Sequence, residues 1–116
     1  MINHVVLLKF KADVSDADIE DLEKSLDDLP NRIHEIHTYE FGKDVVRSPR
    51  SYDFGLVALF ANVPAVERYL EHPAHRPVAK KIQQLCERII TVDFEGSDAG
   101  STASRPTGEL NPFELV

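Results

Sequence analysis

Ile2-Asn3-His4-Val5-Val6-Leu7-Leu8-Lys9-Phe10 decides the fold. The run is rich in valine and leucine, lacks Gly and Pro, and reads as a strand. Alternation puts His4, Val6, Leu8 and Phe10 on one face and Val5, Leu7 and Lys9 on the other, so both faces carry apolar side chains. A strand of that kind needs cover on both sides.

The helices that follow can cover one side only. Ser15 is placed to cap a helix, with Val14 before it and Ile19 after it as a hydrophobic staple. Ile19, Leu22, Leu26 and Leu29 follow at helical spacing, and Pro30 is expected to stop the helix. Asp16, Asp18, Glu20, Asp21, Glu23, Asp27 and Asp28 form its solvated side. A second strand is expected over Ile33 to Phe41, ending at Gly42, and a third over Tyr52 to Phe60, joined by a loop that turns at Ser48-Pro49. On such a strand His34 and His37 fall on opposite faces, which excludes them as a chelating pair.

Asn62 caps a short helix that tolerates Pro64 in its first turn, with Val66, Tyr69 and Leu70 facing inward. Tyr69-Leu70-Glu71-His72-Pro73-Ala74-His75 then breaks it, because proline drives His72 out of the helical region and favours a new start just after. Val78, Ile82, Leu85 and Cys86 line one side of the next helix, and Arg88 to Glu95 forms the last strand. The order β-α-β-β-α-β predicts an α+β, ferredoxin-like protomer: an antiparallel sheet with helices on one face. Residues 1–95 form the folded domain in this reading. Residues 96–116 change abruptly to Gly, Ser, Thr and Pro, a composition that builds no core, with an apolar end expected to be anchored.

The uncovered face carries Val5 and Leu7, a pair from the third strand (Val57 and Leu59, or Leu56 and Phe54), and Ile89 or Ile90. At roughly 1.5–3 kcal/mol for each large side chain, that is too much apolar surface to leave in water. A second copy stacked sheet on sheet is the expected cover, giving a homodimer, with the tail folding back over that face as the alternative.

Composition excludes several classes. The 116 residues carry a net charge of −7, which argues against nucleic acid or an anionic membrane surface as partner. No signal peptide precedes the first strand and no apolar run has the length of a membrane span, so a cytoplasmic protein is expected. The single cysteine, Cys86, sits among apolar neighbours and reads as an inert thiol. No phosphate loop, serine elbow or zinc spacing appears, and neither a cofactor nor a metal is expected. The one metal alternative is a site shared by His4, His72 and His75.

Tyr69 to His75 holds the candidate chemistry. His75 falls in the first turn of its helix, where the positive end of the peptide dipole disfavours the imidazolium and leaves a neutral ring able to take a proton.

His4-Val5-Val6-Leu7-Leu8-Lys9-Phe10-Lys11, Phe41-Gly42-Lys43-Asp44, Gly55-Leu56-Val57 and Tyr69 to His75, in that order and spacing, resemble the stress-responsive A/B barrel family of the dimeric α+β barrel superfamily. The resemblance implies a ferredoxin-like protomer that pairs its sheet with a partner's. It also implies a pocket between sheet and helices, because one plant member closes a linear polyketide by aldol condensation there with a histidine base and a nearby tyrosine. Carried over, these are His75 and Tyr69 as catalytic residues, with His4, Val6, Leu8, Leu22, Leu26 and Cys86 lining a small apolar ligand site. Leu22, Glu23, Leu26 and Cys86 stand where that cyclase is mostly aromatic, so the same substrate is not implied. Two functions follow. One is a cofactor-independent enzyme of cyclase or lyase type that abstracts a proton beside a carbonyl; the other is a noncatalytic dimeric stress-response or binding protein.

Overall fold

The computed structural model describes residues 1–96. Its elements run β1 (Ile2–Phe10), α1 (Asp16–Arg32), β2 (Thr38–Lys43), β3 (Phe54–Phe60), α2 (Val63–Glu71), α3 (His75–Leu85) and β4 (Cys86–Glu95). The four strands form one antiparallel sheet in the order β2-β3-β1-β4, the ferredoxin-like arrangement. The expectations for the tail, both its lack of order after residue 96 and its anchored apolar end, lie outside the described residues.

Local chemistry sets the boundaries. Ser15 accepts a hydrogen bond from the Asp18 amide while the Asp18 carboxylate accepts from the Ser15 amide, a capping box that starts α1. Pro30 does not end the helix, which continues to Arg32. Its missing N–H removes only one intrahelical bond this near the end, and the Ile33 amide still donates to the Leu29 carbonyl at 2.9 Å.

That cap also corrects the second strand. Ile33 is fully buried as the helix cap and Ile36 turns back onto the Ile33 carbonyl, so residues 33–37 are a turn, and His34 and His37 are exposed loop residues. The ladder begins with His37 N–H donating to Leu59. The third strand likewise starts at Phe54, because Asp53 is tied to the end of β1: its amide donates to Leu8 and its carboxylate accepts from the Phe10 amide at 2.8 Å. The fourth starts at Cys86, two residues earlier than the composition suggests.

Register assigns the two faces. Val5 lies opposite Val57 and Val92, and Leu7 opposite Gly55 and Ile90, on one side; His4, Val6 and Leu8 share the other with Ala58, Leu56 and Phe54. The second side carries the helices and the core: Leu8, Leu22, Leu26, Leu29, Ile33, Phe54 and Phe60 are each at most 1% exposed. On the first side Leu7, Val57, Ile90, Val92 and Phe94 are 40–52% exposed in the single chain. The structure therefore selects Val57 with Ile90 for the uncovered face, and turns Leu56, Phe54 and Ile89 toward the helices.

Candidate active site

The site is built where α2 gives way to α3. Asn62 caps α2 by accepting from the Ala65 amide, and Pro64 occupies the first turn as the sequence predicts. His72 ends the helix with extended dihedrals. Its Nδ1 accepts from the Ala74 amide at 3.0 Å, which folds the ring back onto the break. His75 is the first residue of α3. The proline break thus displaces the His75 ring from the straight continuation of α2 and places it against Tyr69, ring centroids 4.5 Å apart.

Tyr69 is 2% exposed and is the hub of an aromatic group. Phe60 packs against it at 4.9 Å, and His4 meets it edge-on at 5.8 Å. Its hydroxyl lies 2.7 Å from that of Tyr39, which reaches it from β2. Buried His4, from β1, is held from its far side by Asp93 of β4, with Nδ1 2.5 Å from the carboxylate.

These side chains wall a cavity of about 170 Å³ between the sheet and the helices. His4, Val6, Leu8, Leu26, Tyr69 and His75 all line it, together with Tyr39, Phe54, Leu56, Leu70, Val78, Ala79, Ile82, Gln83, Ile89 and Thr91. Leu22 and Cys86 do not. Both are buried, Leu22 in the α1 contact with the core and Cys86 at the β1–β4 bulge, so the helical face that predicted their burial did not distinguish core from cavity wall. Burial raises the Cys86 thiol to about 11, which keeps it protonated and inert.

Tyr39 and Asp93 are the two groups that the sequence reading missed. Tyr39 alternates with Phe41 against polar Thr38 and Glu40, so a period-two reading of β2 alone puts it on the helix side. Asp93 pairs with His4 through the β1–β4 register, where the two are direct partners.

Electrostatics follow from burial. The His75 ring is held below its ordinary value of 6.5, chiefly by burial, with His4 and His72 nearby adding to the effect and the Leu70 carbonyl opposing it. Desolvation therefore favours the neutral ring here, where the sequence reading looked to the helix dipole. Its Nδ1 is buried and makes no hydrogen bond among the described residues. Burial raises the Tyr69 phenol to about 12 despite the opposing effect of its hydrogen bond with Tyr39, and pushes Tyr39 higher still. Both phenols are therefore proton donors at neutral pH. His72 points into a different groove, so His4, His72 and His75 do not converge; among the described residues no group of three metal-ligating side chains forms.

The model of the stress responsive A/B barrel domain matches residues 2–96. The chain is 30% identical over 96 residues to the stress-response A/B barrel domain-containing protein HS1 of Arabidopsis thaliana, covering 81% of this chain and 88% of that one. It is 26% identical to olivetolic acid cyclase of Cannabis sativa, covering 80% and 94%. A dimeric ferredoxin-like protein of unknown function from Thermobifida fusca superposes with a TM-score of 0.75 at 29% identity, over 80% of this chain and 88% of that one.

Proposed function

Because the chain belongs to the stress-responsive A/B barrel domain family, we propose that it is a cytoplasmic homodimer that enolises a small, largely apolar carbonyl compound without a cofactor. The carrying observation is that His75, Tyr69 and His4 meet at the wall of one mostly apolar cavity. In this reaction the neutral His75 ring takes a proton from the carbon beside the carbonyl. The released electron pair moves onto the carbonyl oxygen, and the Tyr69 hydroxyl donates to the enolate that forms. The enolate carbon then attacks a second carbonyl, as in a ring closure, or recovers a proton. His4, fixed by Asp93, shapes the floor and supplies its other ring nitrogen as a polar contact. The relative named a cyclase supports the class of reaction.

Cavity size bounds the ligand. At about 170 Å³ it is smaller than the roughly 300–1,000 Å³ that holds drug-sized molecules. A compound of short chain length fits it, and a long polyketide does not. The homodimer rests on the uncovered sheet face and on the dimeric likeness from Thermobifida fusca. Neither nucleic acid nor membrane is a partner of so acidic a chain, and no helix among the described residues is long and apolar enough to cross a membrane.

Hydrogen–deuterium exchange at the carbon between the two carbonyls of ethyl 3-oxobutanoate, followed by proton NMR in D₂O, tests the reading. The wild type should exceed the buffer rate, and His75→Ala should lose about 100-fold or more of that excess with an unchanged melting temperature. A wild-type rate equal to buffer, or a His75→Ala rate equal to wild type, rejects His75 as base and leaves a binding protein.

A further inference from the structure

The Tyr39–Tyr69 contact has a direction. A phenol carries one proton and two lone pairs, so two hydroxyls 2.7 Å apart share one hydrogen bond with one donor. The other proton of the pair is then left for a third group. If Tyr69 donated, its proton would be spent on Tyr39; if Tyr39 donates, the Tyr69 proton is free.

Two observations favour Tyr39 as donor. Tyr39 is held on the sheet, its ring 6.2 Å from Phe41 on the same face of β2, whereas His75 reaches Tyr69 from α3. Tyr69 also packs its ring against the His75 ring, so it is the phenol of the pair that touches the base, and the one whose proton the enolisation needs.

We infer that Tyr39 is a positioning residue: it donates its proton to the Tyr69 oxygen, fixes the phenol, and turns the Tyr69 proton into the cavity toward the enolate oxygen of a small 1,3-dicarbonyl ligand. The inference rests on the proposed enolisation. A hydroxyl that already accepts a hydrogen bond is polarised and donates more strongly, so the effect falls on the transition state, where negative charge gathers on the ligand oxygen. Binding of the uncharged keto form gains little from it.

A double-mutant cycle in the ethyl 3-oxobutanoate exchange assay separates this role from packing. Tyr39→Phe keeps the ring and removes one proton. It should lower the saturated exchange rate about tenfold, less than the ~100–1,000-fold expected when a direct donor is deleted, and leave the concentration for half-saturation within about twofold. In the Tyr69→Phe background the same substitution should change nothing, because the phenol that it positions is gone. Equal losses from Tyr39→Phe in both backgrounds overturn the positioning role, as does a loss confined to half-saturation. If Tyr39→Phe does not fold, Tyr39→Leu in both backgrounds is read by the same criterion. A wild-type rate equal to buffer removes the enolisation reading and this inference together. A wild-type excess that Tyr39→Phe leaves intact removes this inference alone.

Discussion

One sheet presents two faces of opposite character. Toward the helices, β1 offers His4, Val6 and Leu8, and polar groups there are paired or face a cavity. Away from them it offers Val5 and Leu7 beside Val57, Ile90 and Val92, with no titratable side chain among these and no element of the described residues above them. The first face is completed by the chain itself and leaves a small void. The second is an apolar surface that residues 1–96 of a single copy do not cover. In the proposed dimer, stability of the protomer and stability of the assembly therefore reside on opposite sides of the same strand, two residues apart or less.

The largest effect is expected where the two faces are most easily told apart. Leu7→Glu puts a charge in the centre of the outer face, where burial without a partner costs several kcal/mol. Sedimentation at micromolar concentration should change from twice the chain mass to one, while far-ultraviolet circular dichroism keeps its shape. A wild type that sediments as a monomer at all concentrations would break the comparison at once.

Leu26→Ala tests the inner face. Leu26 is 1% exposed and borders the cavity, so truncation enlarges an existing void. We expect a loss of about 2–4 kcal/mol in denaturant unfolding with the dimer intact, and a preference for ligands longer by one or two methylenes. Dissociation by this variant would show that the two faces are not independent.

Asp93→Asn is a finer probe. It removes the charge that holds His4, but Asp93 is itself 42% exposed at its side chain. The expected loss is about 1 kcal/mol or less, with a larger effect on exchange if His4 orientation matters to the ligand. A loss of several kcal/mol in unfolding would mean that this carboxylate is covered in the assembly.

How much of this was legible beforehand follows the same division. The two-faced pattern of β1 and the Pro73 break are local signals, and both yielded the right architecture and brought His75 to Tyr69. Which of Ile89 and Ile90 faces outward needed the β1–β4 register, a long-range fact that no local pattern contains. The span 33–37 was misread because Ile33 and Ile36 are apolar for a different reason, as the cap and turn of α1. Tyr39 lies inside that expected strand, and its alternation with Phe41 was the one local sign that it faces inward. Leu22 and Cys86 were correctly inward but not at the cavity, since periodicity tells which side chains are buried and not which of them border empty space.

The smallest expected effect is in pH, and it belongs to the inner face alone. His75 is held below 6.5 mainly by burial, so the folded protein binds its proton less readily than the unfolded chain does. Any stability tied to this group is therefore present above pH 6.5 and lost as pH falls through the lower folded value. The melting temperature of the wild type should drop slightly more between pH 7 and pH 5 than that of His75→Ala, in which this linkage is absent. Exchange of ethyl 3-oxobutanoate should follow the same ionisation with the same sign. It needs the neutral ring, so activity should persist at pH 6.5 and decline only at lower pH, with a midpoint below that of free imidazole. An exchange midpoint above 6.5 would mean that the base carries a stabilised positive charge, and that a residue other than a desolvated His75 is taking the proton.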